Sequence, residues 1–133
     1  MRDHGLRVGV AVAGAMGRNH ARVYELIGGV RLEGVYDVDR DRAEALADEF
    51  GGKVVSSLEA LSECCEAVSV TVPTNKHSAI GGQLLQLGTH ILVEKPIASS
   101  EDEAAKLVQL AATTGKVLQV GHVERFNPVL RHL

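Results

Sequence analysis

Short β-rich runs alternate with helical stretches along all 133 residues, and this alternation constrains the fold more than any other feature. Residues 6–13 (LRVGVAVA) read as a buried strand. Residues 18–27 read as a helix with Ala21, Tyr24 and Ile27 on one face, stopped by Gly28-Gly29. A second strand over 30–38 and a second helix over 40–50 follow, closed by Gly51-Gly52. A short strand (53–55) leads into a short helix to about Ser62, which Ser56 and Glu59 open as a capping box. Residues 67–72 (AVSVTV), 90–93 (HILV) and 117–120 (VLQV) complete the strands. The intervening helices cover 77–87 and, from a Ser100/Glu103 capping box, run on to Thr114. Asn127-Pro128 has the form of an N-cap and first-turn proline.

Strands alternating with helices through short loops specify an α/β protein whose parallel sheet is covered on both faces. Right-handed crossovers then give a doubly wound, three-layered, six-stranded sheet in the order 3-2-1-4-5-6. The length suits one domain. Its core must come from Val, Leu, Ile and Ala, because the chain has no Trp, two Phe and two Tyr. Fourteen Lys and Arg against seventeen Asp and Glu give a net charge of −3 without a basic run, which argues against a nucleic-acid partner.

Cys64 and Cys65 are adjacent, a spacing that fits neither a zinc clip nor a disulfide framework and suits a reduced, cytoplasmic chain. Arg2 and Arg7 before the apolar run 8–16 imitate a secretory signal, but Asp3 interrupts its basic region and the run reads better as a first strand and turn. No apolar stretch nears the roughly 18 residues that a membrane span needs.

In a doubly wound sheet, ligands bind at the carboxyl ends of the strands. The first strand-to-helix turn reads Val12-Ala13-Gly14-Ala15-Met16-Gly17. Gly14 lets a pyrophosphate approach the backbone, Gly17 lets the helix pack on the strand, and the N–H groups of the first helical turn face the phosphates. The dinucleotide fingerprint has glycine at three places, and here Val12 occupies the first. Asp37 lies about 20 residues beyond Gly17, at the end of the second strand, where a carboxylate accepts from the adenosine ribose hydroxyls and repels a 2′-phosphate. NAD is therefore the favoured cofactor and NADP the alternative, with Arg40 and Arg42 close enough to soften the preference. The plain alternative is that Gly14 and Gly17 are turn glycines and that Asp37 or Asp39 caps the next helix.

The fifth strand runs into Glu94-Lys95-Pro96, on the same edge of the sheet. A lysine there can orient a substrate hydroxyl or help its proton leave. Glu94 can pair with Lys95 or with a ribose, and Pro96 fixes the turn; a surface Glu/Lys pair is the competing reading. After the fourth strand, Pro73 and Thr74 can lie against the cofactor and His77 can reach the cleft, although a histidine at a helix start often caps it. The sixth strand ends in the polar segment 121–128 (GHVERFNP).

In this order the segments AGAMGRNHARVY, GVYDVD, VSVTVPTNKH, ILVEKPIA and VGHVERFNP resemble the amino-terminal half of the Gfo/Idh/MocA family, NAD(P)-dependent oxidoreductases of sugars and cyclitols. The resemblance covers nearly the whole chain. It implies a Rossmann domain over residues 1–123, with 124–133 starting the connection to a substrate domain that these 133 residues do not contain. It further implies that Gly14, Ala15, Met16 and Gly17 form the pyrophosphate turn and that Asp37 is the ribose acid. Pro73, Thr74, His77, Glu94, Pro96 and His122 would line the cofactor site, with Arg125 and Asn127 near the nicotinamide. Lys95 would take the catalytic or substrate-orienting role.

The expected function is hydride transfer from a sugar, nucleotide-sugar or cyclitol alcohol, with this chain supplying the cofactor half and turning over little alone. The competing expectation is a stand-alone NAD(H)-binding module. A different nucleotide ligand on the same fold is a third, which the Lys95 turn and the Asp37 spacing disfavour. A domain lacking its companion also exposes apolar surface, so homo-oligomers are expected.

Overall fold

The computed structural model describes residues 5–12 and 14–121. Within it, β1 (Leu6–Ala11), β2 (Val30–Tyr36), β3 (Lys53–Val54), β4 (Ala67–Val70), β5 (His90–Glu94) and β6 (Leu118–Gly121) form one parallel sheet in the order β3-β2-β1-β4-β5-β6. This is the expected doubly wound order. Helices α1 (Ala15–Leu26), α2 (Arg40–Phe50), α3 (Leu58–Cys64), α4 (His77–Gln86) and α5 (Glu101–Thr114) make the crossovers. Among the described residues, no helix is long and apolar enough to cross a membrane.

Period-two alternation along the strands divides the core in two. Val10, Val35, Ala21, Ala43 and Leu46 pack beneath α1 and α2. A larger cluster built on Val68, Val70, Ile91 and Val93, with Leu61, Leu84 and Leu107, lies beneath α3, α4 and α5. Gly9 and Gly34 face each other across β1 and β2 and let α3 sit close. A Cβ on Gly9 would fall 2.7 Å from the Cys65 sulfur, and one on Gly34 would fall 2.9 Å from that of Cys64. The two cysteines are thus packing groups, and burial pushes the Cys65 thiol far above its ordinary range.

Element ends differ from expectation in instructive ways. β1 stops at Ala11 because Val12 takes φ +82°, outside the extended region. Helix α1 starts at Ala15 rather than Arg18, on an N-cap, Gly14, that has no side chain to announce it. The cap of α3 is Ser57, which accepts from the Ala60 N–H at 3.0 Å, and not Ser56. The cap of α5 is Ser100 as expected, accepting from Glu103, whose own carboxylate accepts from the Ser99 N–H. Gly115 ends α5 in the left-handed conformation. Beyond α1, the same face of β4, β5 and β6 carries no helix among the described residues. An apolar hollow of about 280 Å³ opens there over Leu6, Tyr24, Ala67, Leu92 and Val117.

Candidate functional site

The carboxyl ends of β1 and β4 bring the glycine turn and the residues after β4 to one edge. In the turn, Gly14 has nothing within 4 Å of where a Cβ would stand, so a ligand can meet its backbone. Gly17 is the opposite case, since a Cβ there would lie 2.1 Å from the Val12 carbonyl oxygen. No other residue fits where α1 passes over the end of β1. Helix α1 has no side-chain cap and no acid in its first turn, which leaves its leading N–H groups and positive dipole end available to an anion.

The turn is held from below by its backbone. The Val12 N–H donates to the Tyr36 carbonyl at 2.6 Å. The Thr71 hydroxyl lies 2.9 and 2.7 Å from the Ala11 and Val12 carbonyl oxygens. Thr71, just past β4, is a supporting residue that the sequence did not single out. Arg18 is turned onto α2, paired with Glu49 and lying 5.4 Å from the Phe50 ring centroid.

Asp37, at the end of β2, is where the ribose acid was expected, and its carboxylate is fully covered. Oδ1 accepts from the Asp39 N–H at 2.9 Å and from Arg42 Nη2 at 3.2 Å, and Oδ2 lies 3.2 Å from Arg42 Nε. The fork-on-carboxylate geometry places a cation directly over this carboxylate. A hollow of about 340 Å³ next to it is lined by Tyr36, Asp37, Val38, Arg40, Val55 and Ser56.

Pro73 is exposed and Thr74 half-buried, at the start of a short 3-10 turn (Thr74–Lys76). His77 departs from expectation. Its ring is 1% exposed, with Nε2 3.0 Å from the Val72 carbonyl and Nδ1 3.0 Å from that of Pro96. It lies beneath the strand ends and ties the turn after β4 to the turn after β5, rather than reaching an open cleft. Lys95 and Pro96 are exposed at the carboxyl end of β5, joined by a cis peptide bond. His122, Arg125 and Asn127-Pro128 lie outside the described residues.

Glu94 does not turn toward Lys95. Strand alternation sends its side chain to the α1 face, where Oε2 lies 2.5 Å from His20 Nε2. His20 Nδ1 is 2.7 Å from the hydroxyl of Ser69, which is fully buried and also hydrogen-bonds the Tyr24 hydroxyl. One assignment satisfies every group: Tyr24 donates to Ser69, Ser69 to His20 Nδ1, and His20 Nε2–H to Glu94. Burial raises the Tyr24 phenol above its ordinary value, and its hydrogen bond to Ser69 opposes that shift. The network floors a mostly apolar cleft of about 540 Å³ that runs along α1 from Met16 past His20 to Ile27, with Leu92 and Glu94 on its sheet side.

An anion-ready helix end, a glycine-only crossing and an acid at the end of β2 on a doubly wound sheet define a nucleotide-binding protein of the dinucleotide class. The particular family follows from comparison. Residues 6–122 match the family model for the oxidoreductase family with an NAD-binding Rossmann fold, and the chain belongs to that Gfo/Idh/MocA family. It is 36% identical over 128 residues to the UDP-N-acetylglucosamine 3-dehydrogenase of Acidithiobacillus ferrooxidans, across 96% of this chain and 40% of that one. The solved structure of that enzyme superposes with a TM-score of 0.91 at 35% identity, over 96% of this chain and 42% of the other.

Two further structures were solved with cofactor. GenD2 from gentamicin A biosynthesis, in complex with NAD, gives a TM-score of 0.84 at 34% identity over 88% of this chain and 34% of its own. The 3-ketoreductase KijD10 of Actinomadura kijaniata, in complex with NADP, gives 0.91 at 26% over 97% and 42%. The chain thus spans about two-fifths of the length of these relatives or less.

Proposed function

We propose that this chain is the cofactor-binding part of an NAD(P)-dependent oxidoreductase that takes hydride from an alcohol of a sugar, nucleotide sugar or cyclitol. Residues 1–123 form the nucleotide domain, and 124–133 lead toward the part that selects substrate. The observation that carries the reading is the uncapped start of α1 between an open Gly14 and a Gly17 that tolerates no side chain.

In this reading the backbone of Gly14, Ala15, Met16 and Gly17 takes the pyrophosphate. Asp37 takes the adenosine ribose once Arg42 gives way, and Pro73, Thr74, Glu94, Pro96 and His122 border the remainder. His77 serves by fixing the two turns between which the cofactor lies. When bound, the nicotinamide would supply the hydride acceptor; the Lys95 ammonium would donate a hydrogen bond to the substrate oxygen, orienting it and stabilising its negative charge as the hydroxyl proton passes to solvent. Asp37 favours NAD, and its pairing with Arg42 keeps NADP admissible. The site works in the cytoplasm, and homo-oligomers form through the apolar sheet face that no described helix covers.

Titration calorimetry with NADH and NADPH tests this. The expected outcome is binding of both, NADH the tighter. Absence of heat with either dinucleotide, from a chain that shows a cooperative thermal transition, overturns the reading.

A further inference from the structure

His20 lies outside the glycine turn, yet its imidazole joins three elements: α1, which carries it, β4 through Ser69, and the end of β5 through Glu94. Each contact has a consequence. Ser69 is fully buried, so its hydroxyl fixes the ring from behind. Nε2 then has one direction in which to donate, and it holds Glu94 Oε2 at 2.5 Å. The same carboxylate sits over Gly121 of β6, where a Cβ would lie 3.2 Å from Oε2 and 3.5 Å from Oε1. A bare glycine in the neighbouring strand thus leaves room for a charged group that His20 keeps in one orientation.

His20 engages one of the two carboxylate oxygens, and the Glu94 side chain remains 19% exposed to the cleft that Met16 also lines. A fixed carboxylate that lines this cleft, with one oxygen not engaged by His20, is suited to a neighbouring pair of hydroxyls. We propose that His20 is a positioning residue for the second ribose of the dinucleotide, holding Glu94 as the acceptor for a ribose hydroxyl. The proposal rests on the dinucleotide reading above. It makes the ribose contact of Glu94, on β5, depend on a side chain of the helix that takes the pyrophosphate in that reading.

Three probes separate the contacts: ADP ends at the pyrophosphate, ADP-ribose adds the second ribose, and NADH adds the nicotinamide. Titrations are run on the chain and on His20→Asn, His20→Gln and Glu94→Gln. An asparagine amide still reaches Ser69 but is too short for Glu94, whereas a glutamine amide reaches Glu94. His20→Asn is expected to weaken ADP-ribose and NADH about tenfold while changing ADP less than about twofold. His20→Gln recovers most of the loss, and Glu94→Gln matches His20→Asn without adding to it in the double variant. Equal weakening of all three probes, or unchanged ADP-ribose affinity in both His20→Asn and Glu94→Gln, overturns the assignment. A wild-type chain that binds none of the three overturns the dinucleotide reading and this assignment with it. That failure shows in the wild-type titrations alone.

Discussion

Two halves of the site are built from different material. The half around the glycine turn is main chain: Gly14 is bare, Gly17 is pressed against the Val12 carbonyl, and Thr71 holds two backbone oxygens from below. The half that meets the riboses in the proposed reading is side chain: Asp37 with Arg42 at one end, Glu94 with His20 at the other. A main-chain site has few ways to vary, because its groups are shared with the fold. A side-chain site changes its preference when one residue changes. Substitutions in the first half should therefore move stability and every ligand together, and those in the second should move the choice among ligands.

The largest expected effect tests the first half. In Gly17→Ala the new methyl meets the Val12 oxygen at 2.1 Å, with Thr71 Oγ1 and Val10 Cγ1 each 3.1 Å away. Backbone cannot yield as a flexible side chain does, so α1 must lift from β1. A loss of about 3 kcal/mol in unfolding free energy is expected. Affinity for ADP, NADH and NADPH should fall together. Chemical denaturation and calorimetry read both, and a variant of wild-type stability that lost only NADH would break the division.

Next comes Arg42→Ala, in the second half. The guanidinium lies over both Asp37 oxygens but is half exposed, so its removal should cost only about 1 kcal/mol of stability. The carboxylate then meets a 2′-phosphate without the Arg42 charge beside it. The ratio of NADPH to NADH dissociation constants is expected to rise about tenfold, mostly by weaker NADPH. An unchanged ratio would remove Arg42 from cofactor selection.

The same division governs what the sequence reveals. Strand order followed from the alternation of elements, and the glycine turn and Asp37 from local spacing, because those features are set by neighbours along the chain. The cap of α1 stayed hidden because Gly14 caps without a side chain. His20, Ser69 and Glu94 were not joined in advance because their contacts span 49 and 74 residues. One signal was present: His20 and Tyr24 stand four apart on α1, beside the buried Ala21, and two polar groups at that spacing on a packed face need partners. His77 shows the reverse. Its place at a helix start suggested the cleft, but the direction of its ring is set by the carbonyls of Val72 and Pro96, on segments that only the fold brings together.

The smallest expected effect lies where the two halves meet, at Val12. A β-branched residue at φ +82° carries strain that glycine would not, roughly 1–2 kcal/mol. Glycine gives back part of that gain, about 0.5–1 kcal/mol, through the freedom it adds to the unfolded chain. It also loses the packing of the valine side chain against the larger core cluster. Val12→Gly should therefore leave stability within about 1 kcal/mol of wild type. Its effect on binding is more telling, since the valine is expected to tighten the turn sterically where, in the proposed reading, the pyrophosphate approaches. NADH and ADP should both bind about threefold tighter in the variant, by the same factor, because the change lies on the main-chain side. If NADH alone tightened, the valine would be acting on the ribose side, and the boundary between the halves would have to move past Val12. Unchanged affinity for both would make Val12 a matter of folding strain with no part in binding.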